Sequence, residues 1–234
     1  MELKRIAIQV VVGLTTVGAL AVVAGQEKPI VQAPRPGVPE IVQMEGPFVR
    51  IAYNNEGFVT LGYRIVNESV GEEWVMLDIG ATVRQGQPNY KMTREALSLD
   101  TPDGRTIPLA SNTDFLKVDL RAMQNRANVM RDSINYFPPG ATQACRIGFF
   151  ADLESRARAF DEVELHWQRA CLGRIYFQVP GGIKLGQHWL NVKFANSLVR
   201  VPFRILTEEE EKLLQKNYRD IRQQMQEAFT PKKQ

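Results

Sequence analysis

The sequence predicts a mainly β protein: an antiparallel, immunoglobulin-like β-sandwich with one helical insertion and an amphipathic α-helix at its C-terminus. Three observations carry that expectation. Short segments with alternating apolar residues recur across residues 47–206, separated by clusters of Gly, Pro, Asn and Asp. Nowhere do strands alternate with helices in the way βαβ units require. The only two cysteines, Cys145 and Cys171, fall in a stretch from Ala144 to Gly182 that holds three strand-like runs. They stand 26 positions apart (171 minus 145), which suits neither a CxxC redox pair nor the close ligand pairs of a zinc site, so they read as one structural disulfide.

Composition bounds the class. With 234 residues, 44% hydrophobic and 24% charged, the chain is neither disordered nor polytopic in the membrane. A formal charge of +3, evenly spread, gives no electrostatic footprint for nucleic acid.

At the N-terminus, Lys4 and Arg5 precede an uncharged run from Ile6 to Gly25, and polar Gln26-Glu27-Lys28 follows. Residues 1–25 therefore read as a secretory signal or, if uncleaved, as a membrane anchor, since such a run of helix can span a bilayer core. Either way the following chain is exported, periplasmic or extracellular, and touches a membrane only through this segment. Residues 26–46 hold Pro29, Pro34, Pro36 and Pro39 and read as a linker, because proline at that density removes amide donors and favours extended chain.

The domain at 47–206 opens with a hairpin. Val49, Ile51 and Tyr53 alternate, Asn54-Asn55-Glu56-Gly57 is turn chemistry, and Val59, Leu61, Tyr63 and Ile65 alternate again. Trp74 to Val83 forms the next strand, with Val75, Leu77, Ile79 and Ala81 on the core face and Trp74 and Met76 on the other. Leu97 and Leu99 pair with Thr106 to Leu109 across the turn Thr101-Pro102-Asp103-Gly104. Leu116, Leu120, Met123, Ala127 and Met130 recur at steps of four and three, which predicts a helical insertion at about 113–132, capped by Thr113 or Asp114. Strands follow in the runs ACRIGFFA, EVELHW and RIYFQV, then from His188 to Phe194 and from Leu198 to Leu206. Pro202 removes a ladder donor and places that last strand at a sheet edge.

Residues 207–234 form the C-terminal helix and tail. Thr207 and Glu210 make a capping box, and Thr230-Pro231 ends the helix. Leu214, Tyr218, Ile221 and Met225 draw one apolar stripe. A stripe of this kind docks on the protein's own sheet or on a partner. The expected acceptor is the face carrying Phe58, Trp74 and Met76.

For function, the leading expectation is a non-enzymatic binding or structural domain of the cell envelope or extracellular space, with another envelope protein as partner. The alternative is a carbohydrate-binding module in which Trp74 or Trp189 stacks on glycan rings, and the candidate binding surface comprises Phe58, Trp74, Met76 and Trp189. An enzyme of unfamiliar type is the third. No HExxH, GxSxG, GxxxxGK[ST] or GxGxxG pattern occurs, and His166 and His188 each lack a visible partner, so no catalytic residue, metal or cofactor is assigned.

Overall fold

The computed structural model describes residues 41–152 and 156–229, so the signal or anchor expected at 1–25 and the linker as far as residue 40 lie outside the described residues. The described chain is mainly β. Its elements in order are β1 (Ile41–Gly46), β2 (Val49–Tyr53), β3 (Gly57–Gly62), α1 (Arg64–Asn67), β4 (Trp74–Val83), β5 (Tyr90–Thr93), β6 (Leu97–Asp100) and β7 (Thr106–Pro108). Then come α2 (Asn112–Phe115), α3 (Leu120–Val129), β8 (Gln143–Ile147), β9 (Glu162–Leu165), β10 (Arg169–Gln178), β11 (Gly186–Lys193), β12 (Leu198–Ile205), α4 (Glu208–Lys216) and α5 (Tyr218–Phe229).

A six-stranded sheet runs β1-β2-β3-β4-β10-β8, a four-stranded sheet runs β12-β11-β6-β7, and β5 pairs with β9. The described pairings are antiparallel with one exception, β8 beside β10. Cys145 and Cys171 are registered opposite each other on that parallel pair and are bonded, with their Cα atoms 4.1 Å apart. The disulfide is therefore a rung within one sheet. The expected Cys145–Cys171 disulfide is present, but it does not join two sheets as the bridge of an immunoglobulin domain does.

Four boundaries differ from the sequence expectation, one of them at the C-terminus, where the single helix expected is two, α4 and α5, divided at Asn217. Ile41–Gly46, assigned to the linker, is an edge strand paired with β2, and Val42 and Met44 are fully buried. Its lone proline-free run had too few residues to show a period against the prolines before it. Beyond Gly62 the alternation gives way to α1, although Tyr63 and Ile65 remain buried as predicted. The helical insertion is two helices: Ser111 caps α2 by accepting the Asp114 N–H at 3.0 Å, and Asp119 caps α3 by accepting that of Ala122 at 3.0 Å. Thr113 and Asp114 lie inside α2, and Leu116, at the end of α2, is 64% exposed.

Strand β4 is buried from Val75 to Val83, on both faces. The face of Met76, which Asp78 and Gly80 share, is the one expected to receive the C-terminal helix. Instead the segment after α3 crosses it, and that crossing depends on missing side chains: a β-carbon on Gly80 would lie 2.7 Å from the Phe137 ring, and one on Gly62 would lie 2.7 Å from Asp132 Cβ. Asp132 is anchored there by the Arg64 amide at 2.9 Å and the Arg64 guanidinium at 3.2 Å.

Pro202 does sit on an edge strand. Phe194 N–H donates to Ser197 O at 2.8 Å, which fixes the bonding parity of the β11–β12 hairpin and turns the backbone of Pro202 away from β11. The missing donor thus faces outward and blunts the free edge.

Candidate functional site

The site is built on the outer face of the six-stranded sheet. Asp78 stands in β4 at the parity of Trp74 and Met76, and the register pairs it with Arg174 of β10. Arg174 Nε donates to Asp78 Oδ1 at 3.1 Å, Nη1 to Asn128 Oδ1 at 3.0 Å and Nη2 to Ala127 O at 3.1 Å. The guanidinium is therefore fixed between β4 and the last turn of α3, where the helix carbonyls favour a cation. Burial pushes the Asp78 carboxyl above the usual carboxylate range, and the Arg174 charge opposes that rise. Burial likewise raises the phenol of Tyr176, which sits two residues along β10 and packs its ring 4.9 Å from that of Phe150.

Around this pair is an open cleft of about 330 Å³. Asp78, Leu172, Gly173, Arg174 and Tyr176 form its floor. Gln124, Asn128 and Arg131 form one wall, from α3 and the residue chain just after it, and Arg146 to Asp152 the other. Gln124 Nε2 bridges the walls to Ala151 O at 2.9 Å. Arg146 donates to Phe150 O at 3.1 Å and to Arg158 O at 3.3 Å. The lining offers fixed donors, acceptors and one aromatic pair, and among the described residues no Ser, Thr, Cys, His or Lys lines it. Such a set recognises a ligand by charge and hydrogen bonding. Among the described residues no cluster of three or more metal-ligating side chains occurs.

The chain matches no protein-family model, no curated protein and no solved structure. The site therefore has to be read from its own chemistry.

The surface assembled from sequence does not form. Phe58 is 7% exposed and stacks on Tyr53 at 5.4 Å, Met76 is 1% exposed, and half-buried Trp74 meets Phe115 edge-on at 6.5 Å. Trp189 belongs to the other large sheet, is buried, and lies beneath the Arg200 guanidinium at 4.6 Å. These four residues share no open face. The second predicted face is docked. Leu214 is buried, Tyr218 Oη donates to Met44 O at 3.4 Å, Met225 packs on the core, and Arg222 pairs with Glu45 at 3.1 Å. Ile221 is half-buried in the same helix. The acceptor is β1, not the face of Phe58, Trp74 and Met76, over which the segment after α3 already runs.

Neither histidine faces the cleft. His166 is half-buried beside Trp167, its Nδ1 accepting the Gln168 N–H at 3.3 Å. His188 is 1% exposed, stacks on Phe203 at 5.3 Å, and has its pKa lowered by burial to about 4. The cleft residues were passed over in the sequence because each looked ordinary alone. The usable signal was Asp78, a carboxylate in a strand otherwise apolar from Trp74 to Ile79.

Proposed function

We propose that this is an exported, non-enzymatic domain that binds another protein of the cell envelope through the cleft over β4 and β10. The observation that carries the reading is Arg174, whose three nitrogens are each held by a protein acceptor at the floor of an open cleft. Side chains fixed in advance lower the ordering cost of binding, which is how a binding site differs from an accidental hollow. Export is supported by the basic-then-apolar N-terminal sequence and by the disulfide, which belongs to oxidising compartments. Among the described residues no helix is long and apolar enough to cross a membrane. The finer architecture in this reading is a two-layer immunoglobulin-like sandwich of the six- and four-stranded sheets. Its support is the packing between them, Tyr63 against Phe203 with ring centres 5.2 Å apart. The alternative, carbohydrate binding through Trp74 or Trp189, has less support, because Trp189 is buried and half-buried Trp74 packs against Phe115.

The test is photo-crosslinking in cells that express the full chain. A reactive side chain at Asn128, on the exposed rim, should give a discrete protein adduct, and one at exposed Lys193 on the other sheet should not. No adduct from Asn128, or the same products from both positions, refutes the proposal.

A further inference from the structure

We infer that the cleft recognises a carboxylate of an acidic peptide segment, gripped between Arg131 on one wall and Arg146 on the other. The inference rests on the reading that the cleft is the contact site, and it names the chemistry of what enters.

Among the described residues three arginines line the cleft, and one of them is matched by an acid. Arg174 is paired with Asp78. Among the described residues, neither Arg131 nor Arg146 has a carboxylate oxygen within 4.0 Å. Arg146 is held by two carbonyl oxygens, which orient its guanidinium and leave its charge unneutralised. Arg131 is exposed and acts on Asp78 only at a distance. Among the described lining residues the acids are Asp78 and Asp152, so these residues carry three positive and two negative groups, a balance of one positive (3 minus 2). Asp78 has its charge directed at Arg174, so an entering group meets the two unmatched arginines first. A planar guanidinium on each wall suits the planar, two-oxygen carboxylate, and charge-assisted bonds of this kind are stronger than neutral ones. At about 330 Å³ the cleft has room for one or two side chains, which fits a segment of chain entering it better than a docked domain face.

Fluorescence anisotropy of fluorescein-labelled pentaglutamate, titrated with the full chain, tests this. The expected result is saturable binding that weakens as salt is raised. Arg131→Ala with Arg146→Ala should weaken it about tenfold. Lys212→Ala with Arg219→Ala, the same loss of charge on exposed positions of the C-terminal helices, should leave it unchanged. Since Arg131 and Arg146 are both exposed, their variant should keep its melting temperature. Equal binding of pentaglutamine overturns the inference, as does equal loss in both double variants. So does tighter capture, through the same arginines, by phosphatidylglycerol vesicles, which would make the ligand a lipid surface. If pentaglutamate fails to bind while the Asn128 adduct persists, the carboxylate inference falls and the binding-domain reading stands. If pentaglutamate binds as expected but no adduct forms, the carboxylate site stands and the envelope-partner reading falls.

Discussion

Asp78 and Arg174 face each other across the β4–β10 ladder at 3.1 Å, with side chains only 6% and 15% exposed. A buried pair of this sort stabilises little in net terms, but removing one partner strands the other.

Arg174→Met should therefore lower stability by about 3–5 kcal/mol near neutral pH, and adding Asp78→Asn should recover part of that loss. The sign with pH follows from the raised Asp78 carboxyl. A group whose folded pKa exceeds its unfolded value contributes stability that is present below the unfolded value and lost as pH rises through the folded one. Without Arg174 that rise is larger, so the gap in melting temperature between Arg174→Met and the natural chain should narrow as pH falls. Thermal melts at neutral and mildly acid pH measure it, and a gap independent of pH refutes it.

His188 works in the opposite sense. Its pKa of about 4 lies below the ordinary 6.5, so its contribution is complete above pH 6.5 and disappears as pH falls toward 4. For a histidine this well buried the loss totals about 3 kcal/mol. Denaturant titrations from neutral to acid pH should show a shallower decline for His188→Gln than for the natural chain. Parallel declines would place the acid sensitivity elsewhere.

Much of the fold was legible because alternation encodes it directly. Trp74–Val83 is a strand with the predicted bounds, Pro202 marks an edge, and Thr207 with Glu210 forms the capping box that its spacing announced. What escaped was the other side of β4. Alternation tells which residues share a face, but a second layer of chain over that face leaves no period in the strand itself. Met76 kept its parity and was buried by distant residues, through gaps at Gly62 and Gly80 that read locally as weak strand positions. The cleft escaped for a related reason. Asp78, Asn128, Arg146 and Arg174 are far apart in sequence, and only the register of β10 with β4 and the passage of α3 over it bring them together.

The C-terminal helices and β1 form one unit, since α5 lies on a strand that has only β2 beside it. Leu214→Asp with Ile221→Asp should cost several kcal/mol, because the first buries an unpaired charge and the second sets one on the half-buried face of α5. Deleting residues 41–46 should lower the melting temperature to a similar degree, since it removes two fully buried side chains, Val42 and Met44, as well as the surface under Tyr218. Starting the chain at residue 41 should leave the melt unchanged. A chain starting at residue 47 that melts like the natural one would show that the β1–α5 contact adds no stability.

The disulfide secures the element that supplies one wall of the cleft. Strand β8 is five residues long, lies at the sheet edge, and keeps Gln143, Ala144 and Arg146 exposed, so few apolar contacts hold it against β10. Cross-linking positions 26 apart stabilises a chain by about 3.5 kcal/mol in the loop-entropy estimate. Replacing Cys145 and Cys171 together by Ala should cost that much or somewhat less in denaturant titrations. The loss should also be local. Hydrogen exchange in the variant should quicken across 143–147 well before it does across 74–83, because β4 is buried on both faces and opens only with the whole fold. Since Arg146 sits one residue from Cys145, the variant should also bind pentaglutamate more weakly at temperatures where the rest of the domain is still folded. Uniform acceleration of exchange, with β8 and β4 opening together, would show that the edge strand is held by the sheet and not by the cystine.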